Sequence, residues 1–388
     1  MRAKIEDRWM LVFAVGAAAI WLAVDRLRWV PGDPLFEAKV VAGRTMEAGI
    51  AVLREERERR GLAWDAIGDP NRTGLIGREY TDLTTTLGSL GAKRTATNPN
   101  MAGLVVELLD RAGARPGEAI AVAFSGSFPA MNLAVLAAAR ALGLRAVVIS
   151  SVGASSYGAN EAEWTWLDME RVLVERGVSR HRSVFSALGG IVDEGGGLDG
   201  TGLAAGGAAI RRSGVSLLDE GGRATLEHDV LRRMRIYREG CGGKPSVFVN
   251  VGGVLTSLGG EGEAQVFAAG VIRPGARGGN HRRGVMARMI EEGVPVVHLL
   301  DLRRLAARYG LPFDPVPLPG VPDGAVMRPR RIGRELAGGG LVALGLLGFA
   351  LTRMRRKSPV PPSPGSSQPM FCFVIRSDHK TGHRGKRA

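Results

Sequence analysis

Two uncharged apolar runs bracket the chain. Residues 9–24 (WMLVFAVGAAAIWLAV) lie between Arg8 and Asp25, and residues 336–352 (LAGGGLVALGLLGFALT) lie between Glu335 and Arg353. Between them the period of the apolar positions changes repeatedly. Residues 35–60 have a helical spacing that ends in the charged stretch REERERR, and 101–112 (MAGLVVELLDRA) is helical as well. Residues 119–124 (AIAVAF) form a short apolar run bounded by turn residues, 129–142 is helical again, and 145–151 (RAVVISS) is a second buried strand. A strand, a helix and a second strand in this spacing predict parallel pairing, because the crossover returns the chain in its original direction. Further strands are predicted at 246–251 (SVFVNV) and 294–300 (VPVVHLL), with helices at 224–239 and 301–309. The alternation predicts an α/β body over residues 35–327: a Rossmann-like, mostly parallel sheet with helices on both faces.

The two terminal runs predict membrane helices. The 16 residues of the first rise about 24 Å as a helix, slightly short of a ~30 Å hydrocarbon core. Basic residues stand beyond both runs: Arg2, Lys4 and Arg8 at one end, Arg353, Arg355, Arg356 and Lys357 at the other. That pattern predicts N- and C-terminal transmembrane helices in a bacterial cell membrane, with both termini cytoplasmic and the body extracytoplasmic. A cleaved signal peptide is the alternative for residues 9–24, although no small-x-small cleavage site lies just before Asp25. Residues 353–388 form a basic, Pro-rich tail that the same topology leaves in the cytoplasm.

The chain has 388 residues, of which 45% are apolar, enough for one large α/β domain with extensions and too apolar for wholesale disorder. Its formal net charge of +14 points first to nucleic acid. The location of the charge argues otherwise. Nine lysines and arginines against the single Asp378 lie beyond residue 352, and Arg328, Arg330, Arg331 and Arg334 precede the second apolar run. The body is left close to neutral, and aromatics are only 5% of the chain, so no nucleic-acid partner is expected. Cys241 and Cys372 cannot form a disulfide framework, and no Cys/His cluster has metal-ligand spacing. There is neither a G-x-G-x-x-G nor a Walker loop, so no cofactor and no metal are expected.

Ligands of open α/β sheets gather where the carboxyl ends of strands meet loops. Three loops have that address. SGSFPAMN, after 119–124, offers Ser125, Ser127 and Asn132. A serine here caps the following helix, with Pro129 in its first turn, and the same helix end suits a carboxylate or phosphate. A nucleophilic role is disfavoured, because the G-x-S-x-G elbow is incomplete and no histidine partner is identifiable by spacing. SVGASSYGANEAEW, after 145–151, offers Ser151, Ser155 and Asn160 as hydrogen-bonding groups, in a composition that equally suits plain turns. NVGGVLTSLGG, after 246–251, offers Asn250 with Gly252 and Gly253, where a ligand can approach the backbone closely. Asp193 and Glu194 are candidates for acid–base work or cation binding, or are a solvated pair. His298, in an apolar strand, reads as a core residue, and Cys241 as a buried, inert thiol.

TTTLGSLGAKRTATNPN (84–100), FSGSFPAMNLA (124–134), SSVGASSYGANEAEWTWLDME (150–170) and NVGGVLTSLGG (250–260) together resemble the poly-gamma-glutamate system protein family. These are membrane-associated proteins encoded alongside the synthase of the poly-gamma-glutamate capsule or released polymer. The resemblance covers roughly residues 9–350 and leaves out the tail. It implies a membrane-anchored accessory component of poly-gamma-glutamate synthesis or export. Its partners would be the polymer and the membrane subunits of the synthase. The alternative is an extracytoplasmic hydrolase or transferase acting on gamma-glutamyl bonds, motivated by the converging serine, asparagine and carboxylate loops. The resemblance carries over no catalytic residue.

Overall fold

A computed structural model describes residues 2–27, 33–190, 193–218, 225–260, 267–275, 283–327 and 334–357. After the first helix, α1 (Arg2–Leu27), the body opens with α2 (Phe36–Arg59), the short strand β1 (Thr84–Thr86), α3 (Leu90–Ala96) and α4 (Asn100–Ala112). β2 (Ala119–Ser125), α5 (Pro129–Ala141) and β3 (Arg145–Ser151) form the expected strand–helix–strand unit. Three short strands follow: β4 (Ala154–Ser155), β5 (Asn160–Glu161) and β6 (Trp164–Thr165). Next come α6 (Trp166–Glu175), β7 (Ser183–Ala187), α7 (Gly200–Ser213), β8 (Ser216–Leu217) and α8 (Leu226–Cys241). The body ends with β9 (Phe248–Val251), α9 (Leu255–Leu258), β10 (Gly270–Ile272), α10 (Val285–Glu291), β11 (Val296–Leu299) and α11 (Leu302–Tyr309).

Seven strands form one sheet in the order β10-β11-β9-β2-β3-β7-β8. All neighbours pair in parallel except β10, which runs antiparallel on β11. The α/β expectation therefore holds, with a mostly parallel sheet. The chain starts at the centre with β2, adds β3, β7 and β8 to one side, and then returns to lay β9 against the other side of β2. Strand order reverses between β2 and β9. Loops leaving the carboxyl ends of those two strands diverge, which opens a crevice at that edge.

Both faces of β2 are apolar because both are covered. Ile120, Val122 and Phe124 pack with Leu104 and Leu108 of α4 and Met131 and Leu133 of α5. Ala121 and Ala123 point the other way, toward Val230 and Met234 of α8 and Met286 of α10. Their small side chains leave room for Tyr237, whose hydroxyl donates to the Val122 carbonyl at 3.1 Å. Phe124 meets Trp166 edge-on, with ring centroids 5.5 Å apart. α2 lies outside α4 and α5 as a further layer, burying Ala42, Met46 and Leu53. Its Lys39 is wholly buried and donates to Asp33 Oδ2 (2.6 Å), Glu107 Oε2 (2.7 Å) and the Val326 carbonyl (3.1 Å).

The terminal helices form a separate unit. α12 (Arg334–Lys357) touches α1, with Gly16 against Leu347 and Gly348 against Phe13. Helices therefore stand where the apolar runs predict them, but no helix among the described residues is long and apolar enough to cross a membrane. That corrects the expectation of transmembrane helices at 9–24 and 336–352. The physical reason is composition. The uncharged run of α1 rises only about 24 Å, and the helix then continues through Asp25 and Arg26. The run in α12 is diluted by five glycines and ends in Arg353, Arg355, Arg356 and Lys357. The orientation argument that put the body outside a cell membrane rested on those two spans. The tail beyond Lys357 lies outside the described residues.

Replacing Lys39 by methionine strips the shared cation from two carboxylates, and breaking a buried ion pair costs about 3–5 kcal/mol. Lys39→Met should lower the unfolding free energy by that amount in urea titrations. An unchanged midpoint would mean that the pair does not tie α2 to α4.

Candidate functional site

The reversal of strand order carries a cavity of about 720 Å³ at the carboxyl edge of the sheet, within the usual range for small-molecule sites. Its floor comes from the loops after β2, β3 and β9, and one wall from the segment 85–93, which includes the start of α3. The two-stranded pairing of β1 with β4 sets Thr84 beside Ala154 and Thr86 beside Ser155. That pairing holds the α3 segment against the loop after β3.

Lys93 projects from α3, a helix of seven residues capped by Ser89, which accepts from the Ala92 N–H at 3.3 Å. Its side chain is buried. Nζ donates to Ser155 Oγ at 2.7 Å and to the Ser127 carbonyl, and it stands 4.0 Å from the centroid of the Phe128 ring. Among the described residues, four lysines and arginines of the body are buried. Lys39 faces Asp33 and Glu107, Arg57 faces Glu161, and Arg233 faces Asp193. Lys93 alone has no carboxylate partner among the described residues. With nothing to answer its charge, burial pushes the amine down to about 7.

A relay of serines fixes the geometry around the amine. Ser125 Oγ accepts from the Ser127 N–H (3.1 Å), and Ser127 Oγ accepts from the Ser155 N–H (3.0 Å). Two glycines let the loops approach this closely. A Cβ at Gly126 would stand 2.5 Å from the Val152 carbonyl oxygen, and one at Gly88 would stand 2.6 Å from that of Ser156 and 3.0 Å from Ser155 Oγ. Ser127 does not cap the following helix. α5 starts behind Phe128 with Pro129 in its first turn and no side-chain cap.

Ser125, Ser127, Ser151, Ser155 and Gly253 line the cavity, as does Asp193. Ser151 Oγ is buried and has no hydrogen-bond partner among the described residues. Asp193 has a left-handed backbone (φ 56°), and its Oδ2 accepts from Arg233 Nε (2.8 Å) and Thr256 Oγ1 (2.7 Å). Its charge is thereby spent on a buried guanidinium. Glu194 is not on the cavity wall, and no group of three potential metal ligands stands among the described residues. The asparagines lie elsewhere, as pins of the loops. Asn132 donates to the Ser125 carbonyl (2.9 Å), and Asn160 Nδ2 donates to the Arg78 carbonyl (2.8 Å) and Thr84 Oγ1 (2.9 Å). Asn250 donates to the Gly252 carbonyl (2.9 Å) and lies 3.1 Å from His298 Nδ1. Gly252 has φ 79° and backs onto Ser125. His298 is buried in the sheet, and burial depresses it to about 4. Cys241, expected to be buried, is only half-buried; that partial burial raises its thiol to about 11.

Lys93 itself escapes a reading by motif. One signal stands in the sequence: from Leu83 to Val106 there is no Asp or Glu, so Lys93 has no local acid to pair with. No protein-family model, no curated protein and no solved structure matches the chain.

The lowered value of Lys93 is also a statement about stability. Unfolded, the amine holds its proton up to ~10.4; folded, it releases it from about 7. Between those limits the unfolded state binds more protons, so stability rises with pH. At neutral pH and below, the native state bears a burial cost on the order of 4–5 kcal/mol. Lys93→Met should therefore be more stable than the parent at pH 6, and the gap should narrow as pH approaches 10. A gap independent of pH in denaturant titrations would mean that the amine keeps its ordinary value.

Proposed function

We propose that this cleft is the active site of an acyl-transfer enzyme, a hydrolase or transferase of gamma-glutamyl bonds, with Ser155 as nucleophile and Lys93 as its general base. One observation carries the reading: a buried amine with no carboxylate partner among the described residues, 2.7 Å from a serine hydroxyl that faces a cavity. A base works best when its own pKa lies near the working pH, and an amine at about 7 meets that condition. Serine–lysine pairs are a known variant of serine nucleophile activation, recognised by geometry and not by motif.

The chemistry follows from these groups. Neutral Lys93 takes the Ser155 proton as Oγ attacks the amide carbonyl carbon, giving a tetrahedral oxyanion beside a new ammonium. The Phe128 face and the Ser127 carbonyl stabilise that ammonium, since both already contact Nζ. Collapse breaks the C–N bond, and Lys93 returns the proton to the leaving amine. The ester on Ser155 then passes its acyl group to water or to a second amine: Lys93 takes the incoming proton as the new bond forms and gives it to Ser155 Oγ as the ester C–O bond breaks, restoring the serine.

The substrate class rests on the family resemblance. All four segments that resemble the poly-gamma-glutamate system proteins contribute to this one cavity: Lys93 from 84–100, Ser127 from 124–134, Ser155 from 150–170 and Gly253 from 250–260. A purely accessory role, in which the cleft only holds polymer or a synthase subunit, would leave the cost of burying Lys93 without a return.

Purified full-length protein should shorten poly-gamma-glutamate or transfer its fragments to an added amine. Ser155→Ala and Lys93→Met should each lower that rate by at least about a thousandfold. kcat/KM should fall about tenfold per unit below pH 7, as the amine becomes protonated. An active Ser155→Ala variant, or a profile flat from pH 5.5 to 8.5, would remove the dyad. Polymer binding without turnover would favour the accessory role.

A further inference from the structure

The cavity has a second cation, which no carboxylate among the described residues pairs with. Arg303, at the start of α11, lines the same cavity as Lys93. Its guanidinium carbon lies 3.8 Å from the centroid of Phe313, at stacking distance. The side chain is exposed, and among the described residues no carboxylate pairs with it. The neighbouring arginine behaves differently: Arg94 holds Asp314 through two bonds of 2.5 and 2.6 Å.

That neighbouring pair is what keeps Arg303 in place. Asp314 N–H also donates to Thr95 Oγ1 at 2.8 Å, and Phe313 packs against Gly91, close enough that a Cβ there would stand 3.0 Å from the ring. The 313–314 loop is thus clamped to α3, the helix that carries Lys93. Contact with the Phe313 face restrains the Arg303 guanidinium, and no hydrogen bond or ion pair among the described residues uses its N–H groups, which can capture a planar anion in bidentate fashion. The acids on the cavity wall do not compete for it. Asp193 is held by Arg233, and Asp301 accepts the Arg304 N–H as the cap of α11 (3.0 Å).

We propose that Arg303 is the specificity-determining residue of the cleft, selecting substrates that carry a free carboxylate beyond the carbonyl presented to Ser155. The inference rests on the acyl-transfer reading for which carbonyl is attacked, and it adds the charge class of the substrate. A guanidinium held against an aromatic face, with no carboxylate partner among the described residues, distinguishes a carboxylate from an ester or primary amide of the same shape.

The test uses full-length protein carrying Ser155→Ala, so that binding is read without turnover. The probes are a short gamma-linked glutamate oligomer and the same oligomer with its α-carboxylates methyl-esterified, followed by calorimetry. The acid oligomer should bind at least tenfold more tightly than the ester. Adding Arg303→Gln should weaken the acid oligomer at least tenfold and leave ester affinity as it was. Arg303→Lys should recover only part of the loss, because an ammonium neither stacks nor forks. Phe313→Leu should weaken acid binding severalfold by freeing the guanidinium. Equal affinity for the two oligomers, no binding of either, or Arg303→Gln affinity within twofold of the parent would overturn the assignment. The two readings fail separately. Turnover by the unmodified protein with a KM insensitive to Arg303→Gln would sink this inference and spare the dyad. Carboxylate-dependent binding through Arg303 with no turnover would sink the dyad and leave Arg303 as a binding determinant.

Discussion

The burial of the Lys93 amine beside Ser155, with no carboxylate among the described residues to answer its charge, is the constraint around which the cleft is organised. An ammonium in such a place is costly, and the protein meets the cost with weak, neutral partners: a carbonyl, a hydroxyl and an aromatic face. Each partner must be held by other elements. The carbonyl and the ring belong to the turn between β2 and α5, the hydroxyl to β4, and the amine to a helix of only seven residues. A helix that short has little stability of its own. It is fixed by Ser89 at one end, by the pairing of β1 with β4 behind it, and by Arg94 and Thr95 on the loop at 313–314.

The sheet supplies the place. Strand order reverses between β2 and β9, so the loops after those strands part and leave room that a continuous row of crossovers would fill. Buried asparagines then hold the loops open in one geometry. Asn132, Asn160 and Asn250 each bond to backbone carbonyls near the carboxyl edge, which satisfies groups that a buried loop would otherwise leave unpaired. The serines are left to face the cavity.

Much of this order was legible in the amino-acid sequence. The runs at 119–124, 145–151, 246–251 and 294–300 correspond to β2, β3, β9 and β11, since strands covered on both faces read as continuous apolar stretches. The outer strands were not legible: β8 and β10 have only two and three residues, and β7 (SVFSA) carries serines and an exposed position in place of a continuous apolar run. The terminal runs misled because an uncharged stretch of 16 or 17 residues lies at the border between a surface helix and a span. At the site, the serines could be found by their position after strands. The asparagines could not be sorted, because an amide at a strand end serves a ligand or its own loop equally well. Lys93 was hidden by type and by distance. A lysine is ordinarily solvated, and its serine partner lies 62 positions away; only folding brings the two together.

The absence of an acid beside Lys93 among the described residues is itself the informative feature. A carboxylate beside Lys93 would favour its charged form, raise its pKa and leave no lone pair to accept the Ser155 proton. The other buried cations of the body have such carboxylates, and each thereby serves packing: Lys39 joins α2 to α4, Arg57 binds Glu161, and Arg233 fixes Asp193. At Lys93 the same device would stabilise the fold and abolish the base. An amine poised near neutrality needs burial without pairing, and its cost is borne in the free state at pH 7. In the proposed reaction it would be recovered as the amine takes up a proton opposite a developing oxyanion, because the two new charges would attract each other strongly beside the buried amine. Under that proposal, stability given up in the resting protein becomes available to the transition state.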